Sequence, residues 1–130
     1  MSITLISAGL MGLLLFVLSA NVIRWRVRTR TSLGDGGDVN LMAAIRAQAN
    51  LTEYAPLLLI LIGLLDYSGV QPFALLSIAV LAVVGRYLHG WGIAQGGDNP
   101  NPARRIGMLM TFTALVAGSV AALLKGYGVL

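Results

Sequence analysis

Arg46-Ala47-Gln48-Ala49-Asn50-Leu51-Thr52-Glu53-Tyr54-Ala55-Pro56 places charged and polar groups at the start of an otherwise apolar segment. Positions i, i+4, i+7 and i+8 share one helix face, so Arg46, Asn50, Glu53 and Tyr54 form a single polar stripe. From Pro56 to Leu65 the same segment is nearly pure aliphatic, so the stripe sits in or at the edge of a membrane. Ionisable groups at that depth are costly and face a bundle interior or a water-filled cavity, which makes the stripe a candidate functional site. The spacing equally permits an internal Arg46–Glu53 pair that only holds helices together, and both readings stay open. Asn50-Leu51-Thr52 matches the glycosylation sequon, an accidental match on a membrane-embedded helix.

Composition agrees with the stripe's setting. Of the 130 residues 57% are hydrophobic and only 11% charged, and the mean hydropathy is +0.82. Soluble domains carry about 25% charged residues, so the chain reads as an integral membrane protein. One span takes roughly 20 apolar residues, and the length accommodates an all-α four-helix bundle in one domain with no separate soluble part. There is no cysteine, which excludes disulfides, thiolate nucleophiles and Cys-ligated metals. His89 stands alone, so no metal site is expected. The first helix is expected to be retained: no positive n-region precedes Ile3, and no small-residue cleavage site follows the apolar run.

The expected helices span about 3–25, 40–67, 72–93 and 103–124. The first ends in Arg24-Trp25-Arg26-Val27-Arg28-Thr29-Arg30, where arginines can snorkel to the interface beside Trp25. Gly34-Asp35-Gly36-Gly37 marks the next turn, Ser68 to Pro72 a tight one, and Gln95 to Pro102 a polar one. Pro72 suits a first helical turn. Pro56 lies inside the second helix, where it should kink the helix or loosen its backbone.

Net charge is +4, with the arginines concentrated after helix 1 and around the loop after helix 3. Beside a membrane such clusters read as a topology signal and as contact with anionic membrane lipid, and no basic, aromatic-interleaved surface suggests nucleic acid. The Lys/Arg count places both termini away from the cytoplasm. It also puts the Arg46 stripe, the stretch Arg86 to Trp91, and Arg104 and Arg105 at one membrane depth on the cytoplasmic side. In helix 3, Tyr87 and Trp91 are i, i+4 neighbours, and Gly90 would let a helix or ligand approach Arg86; an interfacial aromatic belt fits the same residues. Arginines opening helix 4 oppose the macrodipole, and either lipid phosphate or an anionic ligand relieves that.

Arg46-x-Gln48-x-Asn50-x-x-Glu53-Tyr54-x-Pro56 on a second transmembrane helix, an aromatic i, i+4 pair on the third and an arginine opening the fourth resemble the MAPEG superfamily, membrane-associated proteins in eicosanoid and glutathione metabolism. The resemblance covers nearly the whole chain and is most specific on helix 2. Gly34-Asp35-Gly36-Gly37 and Arg104-Arg105-x-Gly107-Met108 are similar to short bacterial inner-membrane members. The resemblance implies a four-helix protomer, a homotrimer, and glutathione held between subunits near the cytoplasmic face. It implies that Arg46, Asn50, Glu53 and Tyr54 bind glutathione with a contribution from Gln48, that Tyr87 and Trp91 stand beside the tripeptide, and that Arg26 is a ligand-binding arginine. The thiol-activating arginine best matches Arg105, with Arg104 the alternative, since the preceding loop is longer than in the eicosanoid enzymes; Trp91 replaces a common tyrosine. A guanidinium near sulfur favours thiolate, each pKa unit being worth about 1.4 kcal/mol.

The activity this implies is a glutathione transferase or peroxidase acting on lipophilic small-molecule electrophiles that enter from the bilayer. The alternative is a non-catalytic membrane protein of the same fold that binds a lipid or another anionic metabolite. A small multidrug transporter would be expected to carry a carboxylate deep in helix 1, which has no charge before Arg24.

Overall fold

The computed structural model describes residues 1–96 and 101–129. It contains four helices in chain order, α1 Ser2–Thr29, α2 Val39–Tyr67, α3 Pro72–Gly96 and α4 Pro102–Gly126, and no strand among the described residues. Each is long and apolar enough to cross a membrane, so the protein is an all-α integral membrane protein. Residues 97–100 of the expected polar turn lie outside the described residues.

Three helices run further than expected, among them α4, which continues past position 124 to Gly126. The arginine run after Trp25 forms the last turn of α1, which ends where Arg30 takes the left-handed conformation at φ 54°; the Thr31 N–H then donates to the Arg26 carbonyl at 3.1 Å. Basic residues there suit the negative end of the macrodipole. Beyond position 93, α3 continues to Gly96. Local chemistry sets the other ends: the Asp38 side chain accepts the Leu41 N–H at 2.8 Å to open α2, and Asn101 accepts the Arg104 N–H at 2.9 Å to open α4, with Pro102 in its first turn. Pro56 does not break α2, which runs unbroken through it with the proline on the exposed side.

Helix α3 touches all three others and α2 does the same, whereas α1 and α4 flank the pair without meeting each other. Leu58, Ile62 and Leu65 of α2 interlock with Leu75, Ile78, Ala79 and Ala82 of α3 and with Met11, Leu14 and Leu18 of α1. Large apolar side chains such as Phe16, Leu57, Phe73, Leu109 and Val116 point outward. That is the arrangement of a bundle solvated by lipid, in which packing rather than the hydrophobic effect holds helices together.

The α3–α4 contact is built on glycines. A Cβ on Gly92 would lie 2.5 Å from the Arg104 backbone nitrogen, and one on Gly107 would lie 2.5 Å from that of His89. Gly85 completes the seam, since its Cβ would meet the Thr111 hydroxyl at 2.9 Å. Backbones this close bring the C-terminal third of α3 and the first turns of α4 together. At the other end of the bundle, Asp66 of α2 accepts the Thr4 N–H at 3.0 Å and the Thr4 hydroxyl at 2.7 Å, capping the start of α1.

Candidate functional site

Because α2 and α4 run opposite to α3, the start of α2, the end of α3 and the start of α4 meet at one end of the bundle. They surround an open cleft of about 720 Å³. Arg46 and Asn50 line it from α2, His89 and Ile93 from α3, and Arg104, Arg105, Met108, Leu109 and Phe112 from α4. Three permanent cations thus share one cleft, no carboxylate lines it among the described residues, and α4 supplies an apolar wall. Such a lining selects an anion that carries or sits beside apolar material. Guanidiniums suit carboxylates in particular, because their planar fork matches two oxygens at once.

Behind the cleft lies Arg86, only 2% exposed. Its Nε donates to the Thr111 hydroxyl at 2.9 Å, and its Nη1 donates to the Asn50 side-chain oxygen at 2.6 Å. Its guanidinium carbon stands 5.0 Å from the centre of the Tyr54 ring, within cation–π range. The Thr111 hydroxyl in turn donates to the Gly107 carbonyl at 2.7 Å. Among the described residues Nη2 has no partner and no carboxylate pairs with the guanidinium, so a cation is buried in a membrane-spanning helix.

The structure distributes the expected site residues unevenly. Arg46, Asn50, Arg104 and Arg105 line the cleft. Glu53 lies beside it, 3.5 Å from Arg46, with both side chains about half exposed; the Arg46–Glu53 pair therefore lies along α2 and binds no helix to another. Tyr54 packs on Arg86 and, with ring centres 6.0 Å apart, on Phe112. The other four are elsewhere within the protomer. Gln48 donates to the Ser19 hydroxyl at 2.8 Å and ties α2 to α1. Tyr87 donates to the Leu10 carbonyl at 2.8 Å, and Trp91 is exposed on the same outer side of α3. Arg26 clamps the first loop, its Nη1 donating to the Ser32 and Gly34 carbonyls at 3.1 Å each.

Arg86 and His89 are the polar site residues the motif reading left out. Arg86 carried a signal, a permanent charge inside an apolar helix, but its neighbours were misassigned. The position Gly90 opens is toward Leu18 of α1, whose side chain a Cβ would meet at 3.3 Å. The glycines around Arg86 are Gly85 and Gly107. Among the described residues no three His, Asp or Glu side chains gather into a set that would hold a metal ion.

Comparison with known proteins places the chain in a family. Inner membrane protein YecN of Escherichia coli K12 is 32% identical over 109 residues, an alignment spanning 84% of this chain and 81% of YecN. The protein of that name from Escherichia coli O6:H1 strain CFT073 matches to the same extent. The sequence pattern of the MAPEG family matches residues 4–124, nearly the full run from the start of α1 to the end of α4. With its four membrane-spanning helices and this match along them, the chain belongs to the MAPEG family.

Proposed function

We propose that this protein binds glutathione in the cationic cleft and acts as a membrane glutathione transferase or peroxidase on lipophilic electrophiles, in a homotrimer of the inner membrane with both termini away from the cytoplasm. The observation that carries the reading is the convergence of Arg46, Arg104 and Arg105 with Asn50 on one cleft. Glutathione fits that chemistry: its two carboxylates match the guanidiniums, and Glu53 at the rim offers an acceptor for its amine. The chain has no cysteine, so a thiol there arrives with the ligand.

When bound, glutathione supplies the sulfur nucleophile. Arg105, the first choice over Arg104, favours its ionised form by placing a fixed positive charge beside the sulfur. Arg46 and Asn50 orient the peptide, which converts a bimolecular encounter into a positioned one. Met108, Leu109 and Phe112 provide the apolar side toward the bilayer, with Leu109 exposed on the outer surface of α4. Trimer formation is supported by the half-exposed Arg46 and Glu53 and by the exposed Trp91. Polar and aromatic groups at that depth gain from a neighbouring chain.

The deciding experiment is a titration of the purified protein with glutathione, following thiolate absorbance. A saturable signal is expected. Binding without thiolate would leave a glutathione-binding protein without activation, and absence of both would transfer the cleft to a lipid or another anionic metabolite.

A further inference from the structure

Asn50 lines the cleft and also receives Arg86 on its side-chain oxygen at 2.6 Å. A guanidinium has donors only, so the Asn50 atom facing it is the carbonyl oxygen whichever way an amide might otherwise be drawn. The oxygen being occupied, the amide's other edge is its NH2. We infer that Arg86 is a positioning residue that locks Asn50 with its NH2 edge toward the cleft, making every polar group that α2 and α4 contribute to the lining a hydrogen-bond donor. The group seated at Asn50 must then be an acceptor, and between three guanidiniums it is a carboxylate. Among the described residues, His89 on α3 is the lining side chain able to accept.

The surroundings of Arg86 support a positioning role over simple packing. A buried cation without a carboxylate is destabilising, and an apolar side chain of similar size would fill the space at lower cost. Arg86 instead spends two nitrogens on fixed partners, Thr111 from below and Asn50 toward the cleft, while the Tyr54 ring limits its rotation. Thr111 cannot swing away, because its hydroxyl is held by the Gly107 carbonyl at the glycine seam. The amide of Asn50 is therefore oriented through α3 and α4 together, and an anion bound at Asn50 would face the buried charge across a single residue.

This inference rests on the glutathione reading for its ligand, and the experiment separates the two. Asn50→Asp is nearly isosteric and keeps an acceptor on Arg86, but turns an acceptor toward the cleft in place of the NH2. It should preserve the melting temperature in detergent and weaken glutathione binding by about 100-fold, in the range expected for losing a charge-assisted hydrogen bond. In protein labelled with 15N-asparagine, the side-chain signal absent from Asn50→Asp identifies Asn50. That signal should move on addition of glutathione to the wild type. In Arg86→Met it should move less, with weaker binding, and Arg86→Lys should restore part of both. If glutathione binds but the Asn50 signal stays still and Asn50→Asp binds as the wild type does, Asn50 merely props Arg86 and the inference is overturned while the glutathione reading stands. A titration with inorganic phosphate probes the lining without glutathione. If phosphate moves the signal and glutathione does not bind, the ligand is wrong and the oriented amide is right; if neither moves it, the inference falls even if Arg86→Met fails to fold.

Discussion

Arg46, Glu53 and the helix-opening arginines differ in what each can do, although all are charged. Arg46→Ala and Glu53→Ala each remove a charged partner for glutathione, worth about 1.5–3 kcal/mol, so calorimetry should show affinity falling by about 10- to 150-fold. Arg105→Ala should spare most binding and abolish the thiolate absorbance; the reverse assignment, with Arg104→Ala showing that loss, would shift the activating role by one residue and keep the mechanism. If neither variant alters a wild-type thiolate signal, the two arginines serve as lipid anchors. Gln48→Leu is expected to act differently. Its amide bonds Ser19 on α1, so it should lower thermal stability by about 1 kcal/mol and leave glutathione affinity unchanged. The stripe Arg46, Asn50, Glu53 and Tyr54 was legible because helical spacing alone puts those residues on one face. Gln48 lay in the same motif, but two positions from Arg46 or Asn50 is a turn of about 200° around the helix, which directs it at another neighbour.

Among the elements, the α3–α4 seam carries the site. Gly107→Ala would force a Cβ to within 2.5 Å of the His89 nitrogen and 2.6 Å of the Gly85 carbonyl oxygen. Both are backbone atoms that cannot swing aside, so the helices must part. Overpacking of this kind costs about 1–3 kcal/mol or more, and the variant should melt earlier in detergent and lose glutathione binding together with stability. Gly9→Ala makes the control, since nothing lies within 4 Å of the added carbon, and it should melt like the wild type. Asn101→Ala removes both the α4 cap and the bond its amide donates to the Gly92 carbonyl at 2.9 Å; loss of the cap alone typically costs about 1 kcal/mol. The helices themselves were legible from apolar run lengths and turn residues. Their ends were less so, because the C-terminal turn of α1 depends on the Arg26 clamp reaching into the loop, a contact no periodicity reports.

For the whole molecule, orientation and assembly are the open consequences of the charge pattern. A reporter fused after Leu130 should be active outside the cytoplasm and one inserted at Gly36 inside it, as the positive-inside rule requires; the opposite pattern would move the cleft to the other side of the membrane. Cross-linking in mild detergent should stop at trimer, because the half-exposed Arg46 and Glu53 and the outward-facing Trp91 then gain a covering subunit. A monomer that still binds glutathione with full affinity would show that the protomer's cleft suffices and that Tyr87, Trp91 and Arg26 serve the fold alone.

By itself the sequence determined the membrane setting, the four helices, the polar face of α2 and the family, since each follows from local quantities: apolar run length, spacing along one helix, and a short motif. The tertiary structure decided which charges share a cavity. Arg46, Arg104 and Arg105 meet because α2 and α4 both start at the end where α3 finishes, and α4 comes so close because Gly85, Gly92 and Gly107 have no side chains to keep it away. That same approach shuts Arg86 inside, against Thr111, Asn50 and Tyr54. Its two hydrogen-bond partners lie 25 and 36 positions away along the chain, and separations of that kind are set by how helices pack rather than by any repeat within them.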